Sequence, residues 1–194
     1  MLGTKILETR SSKYNGDVKV LKTWGMGTYI QCNGLTQSGG IVEQIWKSTL
    51  KKIKSNDFNK ILILGLGGGT LAKLLRKKYP NAKITGVEID PIMIELGKKY
   101  LRLDDFNVDI KIQDADSFKL KGYDLVIIDT YLGDKYVDLF NKDLLESKVV
   151  VFNRLFYGNK KKEALKFGKK LERLFKKVDV YYPTANLMYI CYNR

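Results

Sequence analysis

A buried strand followed at once by a glycine-rich turn constrains this chain more than any other feature. Residues 61–64 (Ile-Leu-Ile-Leu) show no polar alternation, which is typical of a parallel strand covered on both faces. Gly65, Gly67 and Gly69 follow directly, and leucines with helical spacing come after them. Glycines suit a place where a strand turns sharply and the backbone approaches a ligand closely. The stretch therefore predicts a strand–loop–helix unit that binds a nucleoside-containing ligand.

An acidic residue stands where such a unit holds a ribose. The next predicted strand, residues 83–87, ends in Glu88, which is 88 − 65 = 23 positions after Gly65. An acid about 20 positions beyond the first glycine accepts hydrogen bonds from the ribose hydroxyls. The loop lacks the Gly-Lys-Ser/Thr that a nucleoside triphosphate loop requires, so ATP is disfavoured. NAD and S-adenosyl-methionine (SAM) both remain open.

Strand and helix patterns alternate from residue 59 to the end of the sequence, which predicts an α/β fold. We expect a Rossmann-like, doubly wound sheet that carries a C-terminal antiparallel hairpin, residues 178–182 with 186–192. A small N-terminal antiparallel β-extension, residues 1–38, precedes a ligand-binding domain at 39–194. Within this scheme residues 35–40 form a hinge-like loop, and Ser38 caps a helix over residues 41–54.

Polar side chains follow the predicted strands at the edge where ligands of such sheets bind. In chain order these strand ends are the Gly65 loop, Glu88, Asp114, Asp129 and Asn153. Taken together they predict one polar rim at the carboxyl edge of the sheet.

Composition excludes several classes of site. The chain has no histidine, which removes His-ligated metal sites, Ser-His triads and the commonest general base. Its two cysteines, Cys32 and Cys191, fit no disulfide framework or metal spacing, so we predict buried thiols and no metal. No apolar run approaches 18 residues and residues 1–10 lack a signal-peptide pattern, so a cytoplasmic protein without a membrane span is expected.

The net charge of +14 raises the question of a nucleic-acid partner. The lysines are spread over the polar faces of predicted helices rather than gathered into one stripe, which favours a solvated surface. RNA or an anionic substrate is the alternative.

Residues 59–154 resemble the class I SAM-dependent methyltransferase fold, specifically its spermidine synthase-like branch. The resemblance is carried by residues 86–91 (Gly-Val-Glu-Ile-Asp-Pro) with 98–101 (Lys-Lys-Tyr-Leu), and by residues 123–129 (Tyr-Asp-Leu-Val-Ile-Ile-Asp). A β-extension with Gln37 and Glu43 just before the core is similar to the aminopropyltransferase arrangement.

The resemblance implies roles for individual positions. Residues that would bind SAM or decarboxylated SAM are Gln37, Gly65, Gly67, Gly68, Gly69, Glu88, Ile89, Asp114, Ala115 and Asp129. In this assignment the glycine loop holds the amino-acid part, Glu88 the ribose, and Asp114 with Ala115 the adenine. Asp129 lies beneath the sulfonium and, with Tyr131, orients or deprotonates the acceptor, so these two are the candidate catalytic residues.

The sequence departs from spermidine synthases at acidic positions. The acid of their glycine loop falls on Gly68, the second acid after strand four falls on Leu132, and a Tyr-His pair falls on Trp46 and Lys47. A polyamine is a polycation and needs an acidic tunnel, so methyl transfer to a small-molecule acceptor is the favoured function. The alternatives are aminopropyl transfer from decarboxylated SAM, and a non-catalytic SAM-, nucleoside- or RNA-binding protein. The sequence leaves the oligomeric state open, with a homodimer as one alternative.

Overall fold

A computed structural model describes residues 3–54, 57–132 and 135–193. Its N-terminal part is a four-stranded antiparallel sheet in chain order: β1 (Lys5–Ser12), β2 (Gly16–Thr23), β3 (Gly27–Cys32) and β4 (Leu35–Gly39). The predicted loop at residues 35–40 is therefore wrong, because most of it is strand β4. Asn33 and Gly34, with φ of 48° and 82°, form the tight turn that reverses the chain into this strand. The domain division after residue 38 stays a prediction.

The central sheet has seven strands in the order β12-β13-β11-β8-β5-β6-β7. Its parallel strands are β5 (Lys60–Leu64), β6 (Lys83–Glu88), β7 (Val108–Ile112), β8 (Leu125–Ile128) and β11 (Val149–Leu155). The hairpin of β12 (Lys177–Tyr181) and β13 (Asn186–Tyr192) is antiparallel and pairs with β11 through β13. The predicted doubly wound sheet with its C-terminal hairpin is confirmed.

Four α-helices in the described ranges cover the sheet: α1 (Gly40–Leu50), α2 (Thr70–Lys78), α3 (Pro91–Leu101) and α4 (Lys160–Glu172). Short 3-10 helices span Leu103–Phe106, Ala115–Ser117 and Lys142–Glu146. The sequence between residues 134 and 145 predicts one or two short helices, and this prediction is partly wrong. Strands β9 (Tyr131–Leu132) and β10 (Lys135–Tyr136) pair there instead, and residues 133 and 134 lie outside the described part.

The inner face of α4 also differs from the prediction. The sequence pattern over residues 160–175 predicts Leu165 and Leu174 on the inner face of the helix. They are instead 48% and 38% exposed, whereas Ala164 and Phe167 are buried. The lysine-rich sequence of this helix leaves a narrow apolar stripe. The face that packs on the core is therefore harder to predict for this helix than for α2.

Apolar side chains of β5 alternate between two cores, one on each face of the sheet. Ile61 and Ile63 pack with α1 and α2, whereas Leu62 and Leu64 pack on the opposite side with α4. A third core joins the N-terminal sheet to α3 through side chains such as Ile30 and Met93. The N-terminal sheet is thereby fixed beside the glycine loop that follows β5.

Both cysteines are buried thiols within strands, as predicted. No helix in residues 3–54, 57–132 or 135–193 is long and apolar enough to cross a membrane.

Candidate active site

The turn after β5 needs glycine for steric reasons. Gly65, Gly67 and Gly69 have φ of 85°, 54° and 90°, in the left-handed region that side chains disfavour. A Cβ added to Gly65 would also collide with the main-chain oxygen of Asp129. This close approach brings the end of β8 against the end of β5, so the two strand tips form a single edge.

Glu88 at the tip of β6 faces this turn. Its Oε2 accepts a hydrogen bond of 2.8 Å from the Gly67 amide, and its Oε1 accepts one of 3.0 Å from the Asp90 amide. Burial raises the pKa of Glu88, and these amide hydrogen bonds oppose the rise. Each carboxylate oxygen can accept a further hydrogen bond, so the side chain can still receive two hydroxyls of a diol.

Asp129 at the tip of β8 is held by two side-chain donors from different elements. Nδ2 of Asn153 donates to its Oδ1 at 2.8 Å, and Nε1 of Trp46 donates to its Oδ2 at 3.0 Å. Asn186 in turn donates to Oδ1 of Asn153 at 2.8 Å, which fixes the orientation of that amide. Burial raises the pKa of Asp129 to about 6, although both hydrogen bonds oppose the rise. The carboxyl group is therefore ionised at neutral pH, and it takes up a proton at a slightly lower pH.

Asn153 reaches this site from a position that the sequence did not predict. It was expected to follow the fifth strand, but β11 continues to Leu155 and Asn153 lies inside it. Antiparallel pairing with β13 extends the strand past the edge, and Asn153 pairs there with Met188.

Tyr131 lies at the same edge, with its hydroxyl already engaged. The hydroxyl donates a hydrogen bond of 2.9 Å to the main-chain oxygen of Asn153, and burial raises its pKa. The phenol is therefore poorly suited to remove a proton, and its ring is the part that can contact a ligand.

One cavity lies between these strand tips and the N-terminal sheet. Nine residues predicted for the site line it: Gln37, Gly65, Gly67, Glu88, Ile89, Asp114, Ala115, Asp129 and Tyr131. The cavity has a volume of about 120 Å³ and is partly open to solvent.

Gly68 and Gly69 do not line this cavity, although both were predicted to bind the cofactor. A Cβ at Gly68 would lie 2.7 Å from Cδ1 of Ile30, and one at Gly69 would collide with Leu103. Their part in the site is to let the turn pack closely on the N-terminal sheet and on the 3-10 helix after α3.

Ser38 connects the N-terminal sheet to the same turn. The prediction that it caps α1 is wrong, since that helix starts at Gly40 with no side-chain cap. Its Oγ instead accepts a hydrogen bond of 2.8 Å from the Gly68 amide. An amide at the start of α2 that has no helical partner is thereby satisfied.

Sequence reasoning missed several residues of the cavity wall. They are Asn15, Val87, Met93, Thr130, Leu132, Val137 and Leu139. The sequence predicts only a turn at Asn15 and Gly16. In the structure Nδ2 of Asn15 donates to Oδ2 of Asp90 at 2.6 Å, which ties the first hairpin to the start of α3. No local pattern marks such a pair, because the two residues are 75 positions apart.

A second cavity adjoins the first along Gln37, Asp129 and Tyr131. Its wall includes Ile41, Ile45, Trp46, Asn153, Leu155 and Tyr157. Asp129 is the only charged side chain among the described residues that line it. Within the described ranges no group of three Asp, Glu or Cys residues is placed to hold a metal ion.

Comparison with known proteins agrees with this geometry. A family model described as a methyltransferase domain matches residues 61–142. The polyamine aminopropyltransferase of Clostridioides difficile is 28% identical over 163 residues, covering 69% of this chain and 56% of that protein. An eEF1A lysine and N-terminal methyltransferase homolog of Drosophila pseudoobscura is 43% identical over 56 residues, covering 29% of this chain and 8% of that protein. The chain thus spans little more than half of one relative and a small part of the other.

Among solved structures, a probable spermidine synthase from Corynebacterium glutamicum superposes with a TM-score of 0.76 at 18% identity. The match covers 98% of this chain and 81% of that one. These likenesses confirm the predicted fold and the predicted resemblance.

Proposed function

We propose that this spermidine synthase-like chain, which has the class I SAM-dependent methyltransferase fold, is a transferase that moves a methyl group from SAM to a small-molecule acceptor. The observation that carries the proposal is the position of Asp129 and Tyr131 on the wall shared by the two cavities. A donor in the first cavity and an acceptor in the second would meet at this wall.

The first cavity has suitable groups for an adenosyl ligand. Glu88 faces the glycine turn with capacity for the ribose hydroxyls, and Asp114 and Ala115 form the wall after β7. The matched methyltransferase domain and the polyamine aminopropyltransferase support SAM or decarboxylated SAM as the cofactor. When bound, SAM supplies a methyl carbon activated by a sulfonium.

Within this site the chain aligns two reactants and holds a proton. Trp46 and Asn153 each donate to one oxygen of Asp129, which leaves a second lone pair on both oxygens for the acceptor. The carboxylate would orient the acceptor's N–H or O–H and accept its proton. Alignment of this kind is the main contribution a protein makes to an in-line displacement.

The second cavity favours an acceptor that is not a polycation. Its described wall has one carboxylate, and the remainder is aliphatic, aromatic, amide or hydroxyl. Leu132, at the position of the second acid of spermidine synthases, is 42% exposed beside the first cavity. An amine chain with several charges would find too few carboxylates here.

Aminopropyl transfer is the second candidate, because a polyamine aminopropyltransferase matches 69% of the chain. Calorimetric titration with SAM and with decarboxylated SAM separates the two functions. Tighter binding of SAM supports methyl transfer, whereas a preference for decarboxylated SAM supports aminopropyl transfer. If neither donor binds, both candidate functions are wrong.

A further inference from the structure

Arg154 is a buried cation that the candidate active site does not use. It follows Asn153 in β11, so its side chain lies on the opposite face of the sheet, toward α4. The residue is 6% exposed, and its Nη1 has no hydrogen-bond partner. Among the described residues, the carboxylate charge of Glu163 acts on Arg154, but it offsets the effect of burial only in part. The guanidinium lies over the rings of Tyr136 and Phe167, 3.6 Å from the centroid of the latter.

A guanidinium buried in this way destabilises the folded protein unless a further group satisfies its charge and its N–H donors. Buried charges in proteins are normally paired, and removing a guanidinium from water without an anion is unfavourable. The two aromatic faces recover only part of that cost. The same desolvation lowers the pKa of Arg154 to about 9. A folded chain that keeps this arginine would gain from an external anion.

A third cavity opens beside the guanidinium. Its wall includes Tyr131, Lys135, Tyr136, Arg154, Lys160 and Phe167, together with the carboxylates of Asp138 and Glu163. Asp138 already pairs with Lys170 at 3.7 Å, and Glu163 lies at an exposed position of α4. The inner end of the cavity is therefore positive, while the two carboxylates belong to more exposed positions.

We propose that this cavity binds an oxyanion, the carboxylate or phosphate group of a small ligand, with Arg154 as the principal donor. A guanidinium presents its N–H groups as a planar fork that fits two oxygens of such a group. The site is separate from the methyl-transfer proposal, since Tyr131 is the one described residue that lines both this cavity and that of Glu88.

Calorimetric titration with inorganic phosphate and with acetate, at constant ionic strength set with sodium chloride, tests the proposal. Wild-type protein should bind at least one anion saturably, and the better of the two identifies the group. Arg154→Met should weaken this binding at least tenfold. Arg173→Met removes the same charge from an exposed position at the end of α4 and should bind like the wild type.

Arg154→Lys keeps the charge without the fork, and it should bind the anion at least threefold more weakly even if Arg154→Met does not fold. Saturable binding that is equal in the wild type and the lysine variant would overturn the proposal, as would the absence of saturable binding in the wild type. SAM titration of the same samples separates the two proposals. Phosphate or acetate binding without SAM binding would leave the anion site standing and reject methyl transfer.

Discussion

The indole nitrogen of Trp46 donates a hydrogen bond of 3.0 Å to Oδ2 of Asp129, and so links α1 to the tip of β8. Trp46 is 1% exposed and packs in the core between α1 and the sheet. The residue is therefore both a core side chain and a support for the candidate catalytic carboxylate. A side chain fixed by packing holds its donor still, which favours a defined position for the carboxylate.

Replacing Trp46 with phenylalanine tests this link. The variant loses a hydrogen bond to a charged group and part of a packed ring, so unfolding free energy at pH 7 should fall by about 2–4 kcal/mol. Trp24→Phe is the matched control, because Trp24 is 77% exposed and its replacement should change stability by less than about 0.5 kcal/mol. Urea unfolding followed by circular dichroism gives both values. Equal stability of the two variants would contradict a structural role for the Trp46 indole.

The raised pKa of Asp129 predicts a dependence of stability on pH. Its pKa rises from an ordinary 3.8 to about 6 on folding, so the folded state binds the proton more tightly than the unfolded state. The stability that this proton contributes is complete below pH 4 and is lost as the pH rises through about 6. Two pKa units correspond to about 3 kcal/mol at most.

Asp129→Asn should remove this contribution. The difference in unfolding free energy between wild type and variant should change by about 1–3 kcal/mol between pH 4 and pH 7, with the wild type losing more as the pH rises. Asp116→Asn, at an exposed position after β7, serves as the control. A wild type and an Asp129→Asn variant with parallel pH profiles would show that Asp129 does not titrate in this range.

Local patterns were sufficient to predict much of the fold. The apolar run of β5, the glycine turn and Pro91 at the start of α3 each determine structure through neighbours in the sequence. The resemblance then placed Glu88 and Asp129 at the tips of the two strands that flank β5, where the structure has them on one cavity. Both positions follow from the rule that ligands of an open α/β sheet bind at the carboxyl ends of its strands, and the alternating patterns already predict such a sheet.

Contacts between distant segments were not predictable in the same way. The hydrogen bond from the Gly68 amide to Ser38 joins residues 30 positions apart. Ser38, which was expected to cap a helix, therefore supports the glycine turn instead. Strand β4 was expected to be a loop because its polar and glycine residues carry little strand propensity. Pairing with β3, rather than its own composition, makes it a strand. Arg154 was overlooked because it lies beyond the predicted end of the fifth strand, and a single charge gives no sign of its burial.

Glu88→Ala tests the cofactor assignment. Loss of the carboxylate removes the acceptor for two ribose hydroxyls, so the SAM dissociation constant should rise at least tenfold, about 1.4 kcal/mol. Glu172→Ala, at an exposed position of α4, should leave SAM affinity within about threefold of the wild type, because its side chain does not line this cavity. Titration calorimetry measures each constant. Unchanged affinity in Glu88→Ala would reject the assignment of this cavity to an adenosyl ligand.

Restoring the acid of the spermidine synthase loop in this chain should damage the fold rather than change the donor. A Cβ at position 68 would lie 2.7 Å from Cδ1 of Ile30, 3.0 Å from Cδ1 of Leu101 and 3.1 Å from Cβ of Ser38. Gly68→Asp adds a clash and a buried carboxylate, so unfolding free energy should fall by about 2–4 kcal/mol. Gly3→Asp is the control, since nothing lies within 4 Å of a Cβ there.

The steric origin of this loss can be separated from the effect of the charge. Gly68→Ala adds only the Cβ, and combining it with Ile30→Ala removes the nearest atom. The combined variant should therefore lose at least about 1 kcal/mol less than the sum of the single variants. Additive losses would mean that the turn at Gly68 does not depend on its contact with β3. A stable Gly68→Asp variant that binds decarboxylated SAM more tightly than SAM would mean that the loop accepts the acid and that the close packing at Gly68 does not set the donor.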